Sequence, residues 1–317
     1  MILTDYFTSD KNIIWDYAKQ CGVRQGVIRL PETADFEITN PTHWQKVYNN
    51  FADFGIKPVI IEPMPNALHD HIKAGEDKRD WAIEQVIKML PIMNHLDIRT
   101  ICFNFMAHIG WLRTDASIPE RGGALVTGFN LKDFKESDKV ITKQELWDNY
   151  EYFIKAVLPE AEKQGIKLAL HPDDPPLERL GGVERIMTSA ENIDHAVNGI
   201  VKSDNLGITM CQATYHIMGE DLFEVIPRFK DKIFFVHFRN TTGVKTAFRE
   251  TFHDNGELPM ARLIRLYKEN GIDVPIRVDH VPLMAGEAQS LAGYTALGRL
   301  FAIGYLKGIL EAEDALS

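Results

Sequence analysis

The sequence is poor in the features that mark secreted, membrane-bound or nucleic-acid-binding chains. Its 317 residues hold 3 cysteines, Cys21, Cys102 and Cys211, widely spaced and without a CxxC pair. That count excludes a disulfide framework and points to a reducing compartment. No window reaches the roughly 18 unbroken apolar residues of a membrane helix; Leu300 to Leu310 comes nearest and is interrupted by Lys307. The opening MILTDYFTSDK has no basic segment ahead of an apolar one, so a cytoplasmic protein without a secretory signal is expected. Basic residues are in deficit, 35 Lys plus Arg against 45 Asp plus Glu for a net charge of -10, which argues against nucleic acid as a partner. Gly/Ser linkers, low-complexity segments and solenoid repeats are absent as well, so one domain is the simplest reading.

What the chain does have is a repeated alternation of short apolar or β-branched runs with longer amphipathic stretches, the pattern of parallel strands and crossover helices. The strand-like runs are Met1 to Thr4, Gly26 to Leu30, Lys57 to Glu62, Thr100 to Phe105, Lys167 to His171, Leu206 to Cys211, Ile233 to Phe238 and Ile276 to His280. Helices are predicted over Ser9 to Cys21, Pro41 to Phe54, Asp77 to His95, Thr142 to Lys163, Ser189 to Val201, Asp221 to Arg228, Pro259 to Asn270 and Leu291 to Leu310. Pro91 and Pro159 are expected to kink or end theirs. Gly22, Gly55, Gly165 and Gly271 read as left-handed helix ends. Eight alternations fit a single-domain (β/α)8 TIM barrel, with C-terminal helices over about 286–312. A large open doubly wound sheet has similar spacing, but no G-x-G-x-x-G follows the first strand.

In a barrel the active site forms where strands end. The last four strands end in or beside His171, Cys211, His237 and Asp279. Each alone has an ordinary explanation: a hydrogen-bonded histidine, a small buried thiol. Four ligand types on consecutive staves point instead to one ion. Two imidazoles, a thiolate and a carboxylate suit Fe(II), Mn(II), Co(II) or Zn(II) better than Mg(II) or Ca(II).

More polar groups surround these ends than a structural rim needs. Arg239 is a candidate clamp for a substrate carboxylate or else half of an ion pair, with Asn240 beside it. His253 and Asp254 are candidate substrate contacts or the parts of an Asx-type turn, and Asp173 and Asp174 can equally cap a turn. The connection over about 106–141 is too long for an ordinary loop and reads as a rim loop or lid, or else as a partly disordered excursion or an oligomer contact. Asn104 just before it and Arg113 within it are further substrate-contact candidates.

The segments ALHPDDPP (169–176), MCQAT (210–214), HFRN (237–240), FHDNG (252–256) and VDHVP (278–282) resemble mannonate dehydratases, as do NFM with W-x-RTD (104–115) and GEDKRD (75–80). The resemblance covers about Pro58 to Tyr305. It implies an xylose-isomerase-like (β/α)8 barrel that uses one Mn2+ or Fe2+ ion to convert D-mannonate to 2-keto-3-deoxy-D-gluconate in hexuronate catabolism. The implied ligands are His171, Cys211, His237 and Asp279, the set already read from the strand ends. Tyr294, in AGYTALG, falls where the family's active-site tyrosine stands, and His280 is its companion as acid or base, or else a residue that orients a ligand. The chain departs from the family pattern at Ala213, where Gly is usual, and in LTDYFTSDK and IRLPE of the N-terminal quarter. The expected partner is a small sugar acid, and the expected assembly a homodimer. Two rival readings remain: an aldose-ketose isomerase or epimerase, separated by mass balance because only dehydration removes water, and a non-catalytic sugar-acid sensor with a structural metal.

Overall fold

The computed structural model describes residues 1–288 and 293–315. Eight parallel strands close a barrel. They are β1 (Ile2–Phe7), β2 (Gln25–Ile28), β3 (Lys57–Ile61), β4 (Thr100–Phe103), β5 (Lys167–Leu170), β6 (Leu206–Cys211), β7 (Ile233–Phe238) and β8 (Pro275–Val278). Each pairs with its predecessor in sequence, and β8 returns to β1 with Leu3 opposite Ile276. Both faces of these strands are apolar because both are covered. On β2, Val27 packs inside the barrel with Ile60, Cys102 and Phe235, while Ile28 belongs to the larger core between strands and helices, with Trp15, Phe51 and Phe153.

Local chemistry starts and stops the helices. Asn40 caps Pro41–Phe54, a Thr142–Glu145 capping box opens Lys143–Gln164, and Gly55 and Gly165 end these two helices in left-handed conformation, which any Cβ would disfavour. Neither proline terminates its helix: Arg79–His95 runs through Pro91 and Lys143–Gln164 through Pro159. Loss of one backbone hydrogen bond is outweighed there by burial of Leu90, Ile92 and Met93, and of Leu158 and Ala161. Two short helices, Asn66–Ala74 and Gln212–Met218, follow β3 and β6 without having been predicted. The last helix spans Ala296–Ala315; its predicted start at Leu291 lies outside the described residues.

The connection over 106–141 contributes two strands, Asp115–Pro119 and Leu125–Asn130. They join Thr241–Val244 and Ala247–Glu250 from beyond β7 in a four-stranded antiparallel side sheet, with Phe129 opposite Phe248. This sheet was hidden from local pattern reading because its halves lie more than a hundred residues apart.

Candidate metal and proton-transfer site at the barrel mouth

The two-residue period of a strand positions the ligand-type residues. Phe235 is inside the barrel, so His237 points inward above it. Thr209 reaches Cys102 across the interior at 3.2 Å, which places Cys211 on the inner face, and Arg277 reaches Glu62, which does the same for Asp279. Pairing sets Cys211 opposite His237, and His237 opposite Arg277. One donor atom from each of His171, Cys211 and His237 lies within 4.8 Å of the others. Asp279 Oδ2 approaches His237 Nδ1 to 3.7 Å.

The chemistry of this set fits a borderline divalent ion. His171 Nδ1 donates to the Pro172 carbonyl at 2.6 Å, leaving Nε2 as a lone-pair donor, and burial lowers the pKa of this ring. Thr214 donates to Cys211 Sγ at 3.1 Å and Arg239 approaches it to 3.6 Å, so two donors meet the sulfur. His237 is buried and neither ring nitrogen makes a hydrogen bond among the described residues. Its Nε2 lies 3.0 Å from Glu62 Oε1, but out of line for one. A buried imidazole left unsatisfied is what a bound cation would explain. Burial would raise the Asp279 carboxyl, yet His280, Arg277, His237 and Arg239 together hold it well below the usual carboxylate range. Glu62, Cys102 and His237 also cluster within 4.8 Å, but both Glu62 oxygens accept from Arg277, at 2.8 and 2.9 Å.

His280 and Tyr294 stand beside this cluster. Strand β8 has ended at Val278, so strict alternation no longer turns His280 away from the mouth. Its Nε2 lies 3.3 Å from the Tyr294 hydroxyl, and the Trp111 ring covers it at 4.9 Å between centroids. Burial pushes the Tyr294 phenol far up, so it is protonated at neutral pH. A cavity of about 560 Å³ meets both residues together with His171, His237, Asp279 and Asn104.

The other expected substrate contacts are not among the residues lining that cavity. Arg239 is buried and its guanidinium is bonded to Glu250 and Asp174, the ion-pair alternative rather than a free clamp. Arg113 bonds the same two carboxylates. Asn240 holds the following loop through the His253 and Leu258 carbonyls, and His253 donates from Nε2 to the Phe238 carbonyl at 2.8 Å. Asp254 pairs with Arg121 near the surface. These residues are bound to protein partners and line the loops around the side sheet and not the mouth. Asp173 accepts from the Met187 amide, a structural role.

Sequence reading missed Glu62, Arg277 and Glu250. Glu62 at a strand end, and Arg277 two residues before Asp279, carried a usable signal in their positions. Glu250 carried none.

These features define a class: a (β/α)8 barrel with a histidine–tyrosine pair beside a metal-capable cluster. Comparison with known proteins narrows it. The family model described as D-mannonate dehydratase (UxuA) matches residues 2–140 and 130–317. The mannonate dehydratase of Streptococcus agalactiae serotype III is 34% identical, with 97% of each chain covered, and mannonate dehydratase 2 of Halalkalibacterium halodurans is 30% identical, with 98% of each covered. The crystal structure of mannonate dehydratase from Streptococcus suis serotype 2 superposes with a TM-score of 0.90 at 27% identity, covering 99% of this chain and 93% of that one. The chain belongs to the mannonate dehydratase family and is a hydro-lyase. The barrel fold alone is shared with D-psicose 3-epimerase from Clostridium cellulolyticum H10, at a TM-score of 0.64 and 12% identity, 99% of each chain being covered.

Proposed function

We propose that this chain converts D-mannonate to 2-keto-3-deoxy-D-gluconate and water, with one Mn2+ or Fe2+ ion held by His171, Cys211, His237 and Asp279. The observation that carries the reading is the meeting of His171, His237 and Asp279 with the His280–Tyr294 pair in one cavity, with Cys211 buried beside the two histidines. When bound, the ion supplies Lewis-acid polarisation of the substrate carboxylate, which acidifies the C2 proton. The chain's own residues then move two protons. One is taken from C2, and one is given to the C3 hydroxyl so that it departs as water; the resulting enol tautomerises to the 2-keto-3-deoxy acid. A bare His280 Nε2 suits the first transfer and the un-ionised Tyr294 hydroxyl the second. Trp111 and the residues around it shield the pair from bulk water.

Asn104 is the expected substrate contact that the cavity geometry supports, whereas Arg113, Arg239, Asn240, His253 and Asp254 act through the walls of the site. A cytoplasmic homodimer completes the proposal; the three free cysteines agree with the compartment, and light scattering on the purified protein tests the dimer. The deciding experiment incubates Mn(II)-loaded protein anaerobically with a panel of hexonates and pentonates. D-Mannonate should give a 2-keto-3-deoxy acid lighter than the substrate by one water. A product of unchanged mass would make the chain an isomerase or epimerase instead, and no turnover of any acid would leave the sensor reading.

A further inference from the structure

Glu250 is carried to the mouth by the side sheet rather than by the barrel. It ends the strand Ala247–Glu250, is fully buried, and lies with Oε1 3.2 Å from His280 Nδ1. Its carboxylate is also held by two guanidiniums. Arg239 donates to it from Nε and Nη2, both at 2.8 Å, and Arg113 from Nε and Nη2 at 3.1 and 2.7 Å. Asp174 accepts further bonds from the same two guanidiniums, at 2.7 and 2.9 Å from Arg113 and 2.7 Å from Arg239. Two carboxylates and two guanidiniums cancel in charge. Glu250 therefore meets His280 as a fixed hydrogen-bond acceptor, not as a surplus negative charge.

We propose that Glu250 is a positioning residue that holds His280 with the hydrogen on Nδ1 and a bare Nε2 turned toward Tyr294 and the cavity. An ionised carboxylate can only accept, so the nitrogen that meets it must be the one that donates. The second nitrogen then accepts, and at 3.3 Å its partner is the Tyr294 hydroxyl. The competing carboxylate, Asp279, lies 3.7 Å from Nε2, too far for a hydrogen bond, and its Oδ1 already accepts from Arg277 at 3.0 Å. Packing holds the ring plane: Trp111 lies against one side, and a Cβ added at Gly293 would sit 3.3 Å from His280 Cδ2. The logic is that of a carboxylate that selects a histidine tautomer in a hydrolytic triad, here supplied from a sheet outside the barrel.

This inference rests on His280 and Tyr294 being the proton-handling pair, but its test reads the ring directly. Protein labelled with 15N-histidine is loaded with diamagnetic Zn(II), and long-range 1H–15N correlations are recorded with and without the metal. His280 is assigned by the signal lost in His280→Gln. The expected pattern is a pyrrole-type Nδ1 and a pyridine-type Nε2. The reverse pattern, or two pyrrole-type nitrogens, overturns the proposal. In Glu250→Leu the acceptor facing Nδ1 is gone, so the pattern should average or reverse, and kcat should fall about 10- to 100-fold with KM within about threefold. A folded Glu250→Leu protein that keeps the native pattern also overturns it; if that variant does not fold, the wild-type spectrum decides. Turnover of D-mannonate with the reverse pattern removes the role of Glu250 alone, whereas the expected pattern without turnover of any sugar acid removes the functional reading alone.

Discussion

At the scale of single residues, the mouth separates the groups proposed to hold an ion from those proposed to move protons. Cys211 stands with His171 and His237, and among the described residues its hydrogen-bond partners are both donors, the Thr214 hydroxyl and the Arg239 guanidinium. Cys211→Ala should therefore lower metal occupancy at limiting Mn(II), measured by elemental analysis of dialysed protein, by more than tenfold; full occupancy would remove the thiol from the ligand set. Tyr294 makes the complementary case. Tyr294→Phe preserves the ring's contact with His280 and deletes only the hydroxyl, so metal content and KM should stay near wild type while kcat drops about 100-fold or more. Unchanged kcat would leave His280 or water as the proton carrier.

At the scale of elements, strand spacing leaves no freedom at β6. A Cβ added to Gly207 would lie 2.3 Å from the Lys232 carbonyl oxygen and 2.5 Å from the Phe234 ring. Both obstacles belong to the chain just before and along β7. Gly207→Ala should accordingly destabilise the protein by about 2 kcal/mol in urea unfolding, the usual scale for overpacking a well-filled site. Because Cys211 ends the same strand, a measurable loss of metal affinity should accompany it; a neutral substitution would mean that the two strands separate easily. The side sheet makes the opposite contribution. It adds no stave to the barrel, yet it brings Glu250 to His280 and gathers Phe129, Leu177, Leu180, Ile217 and Phe248 into a small core of its own.

For the whole molecule, the barrel's core is independent of the mouth, so chelation should abolish turnover while leaving far-UV circular dichroism and one cooperative unfolding transition in place. Loss of the fold on chelation would instead make the ion structural. Acid stability depends on a residue expected to touch substrate. Burial lowers the His253 pKa to about 4. Below its ordinary value near 6.5 the unfolded chain binds a proton that the folded one refuses, so stability falls as the pH drops through that range and the loss levels off near the folded value. Between pH 7 and pH 5 this one ring should cost about 2 kcal/mol. His253→Gln should flatten the wild-type slope of unfolding free energy by that amount over the same interval; an unaltered slope would mean that the ring is protonated when folded.

The sequence by itself determined the barrel and half of its mouth. Strand and helix alternation reports burial on both faces of a parallel sheet, and residues such as Cys211 and His237 could be placed because a strand's period is two and its end is where a barrel exposes polar groups. Pro91 and Pro159 do not end their helices because a local penalty can be outweighed by packing that local spacing does not show. The contacts of Arg239, Arg113 and His253 were decided only by tertiary structure. Each was legible as a polar residue near β7, but whether its partner is substrate or protein depends on carboxylates and carbonyls brought in by other segments. Glu250 is the clearest instance. Its partners, His280, Arg239 and Arg113, are 30, 11 and 137 residues away, and they meet because an antiparallel sheet pairs two insertions into the barrel, a long-range closure that no local periodicity encodes.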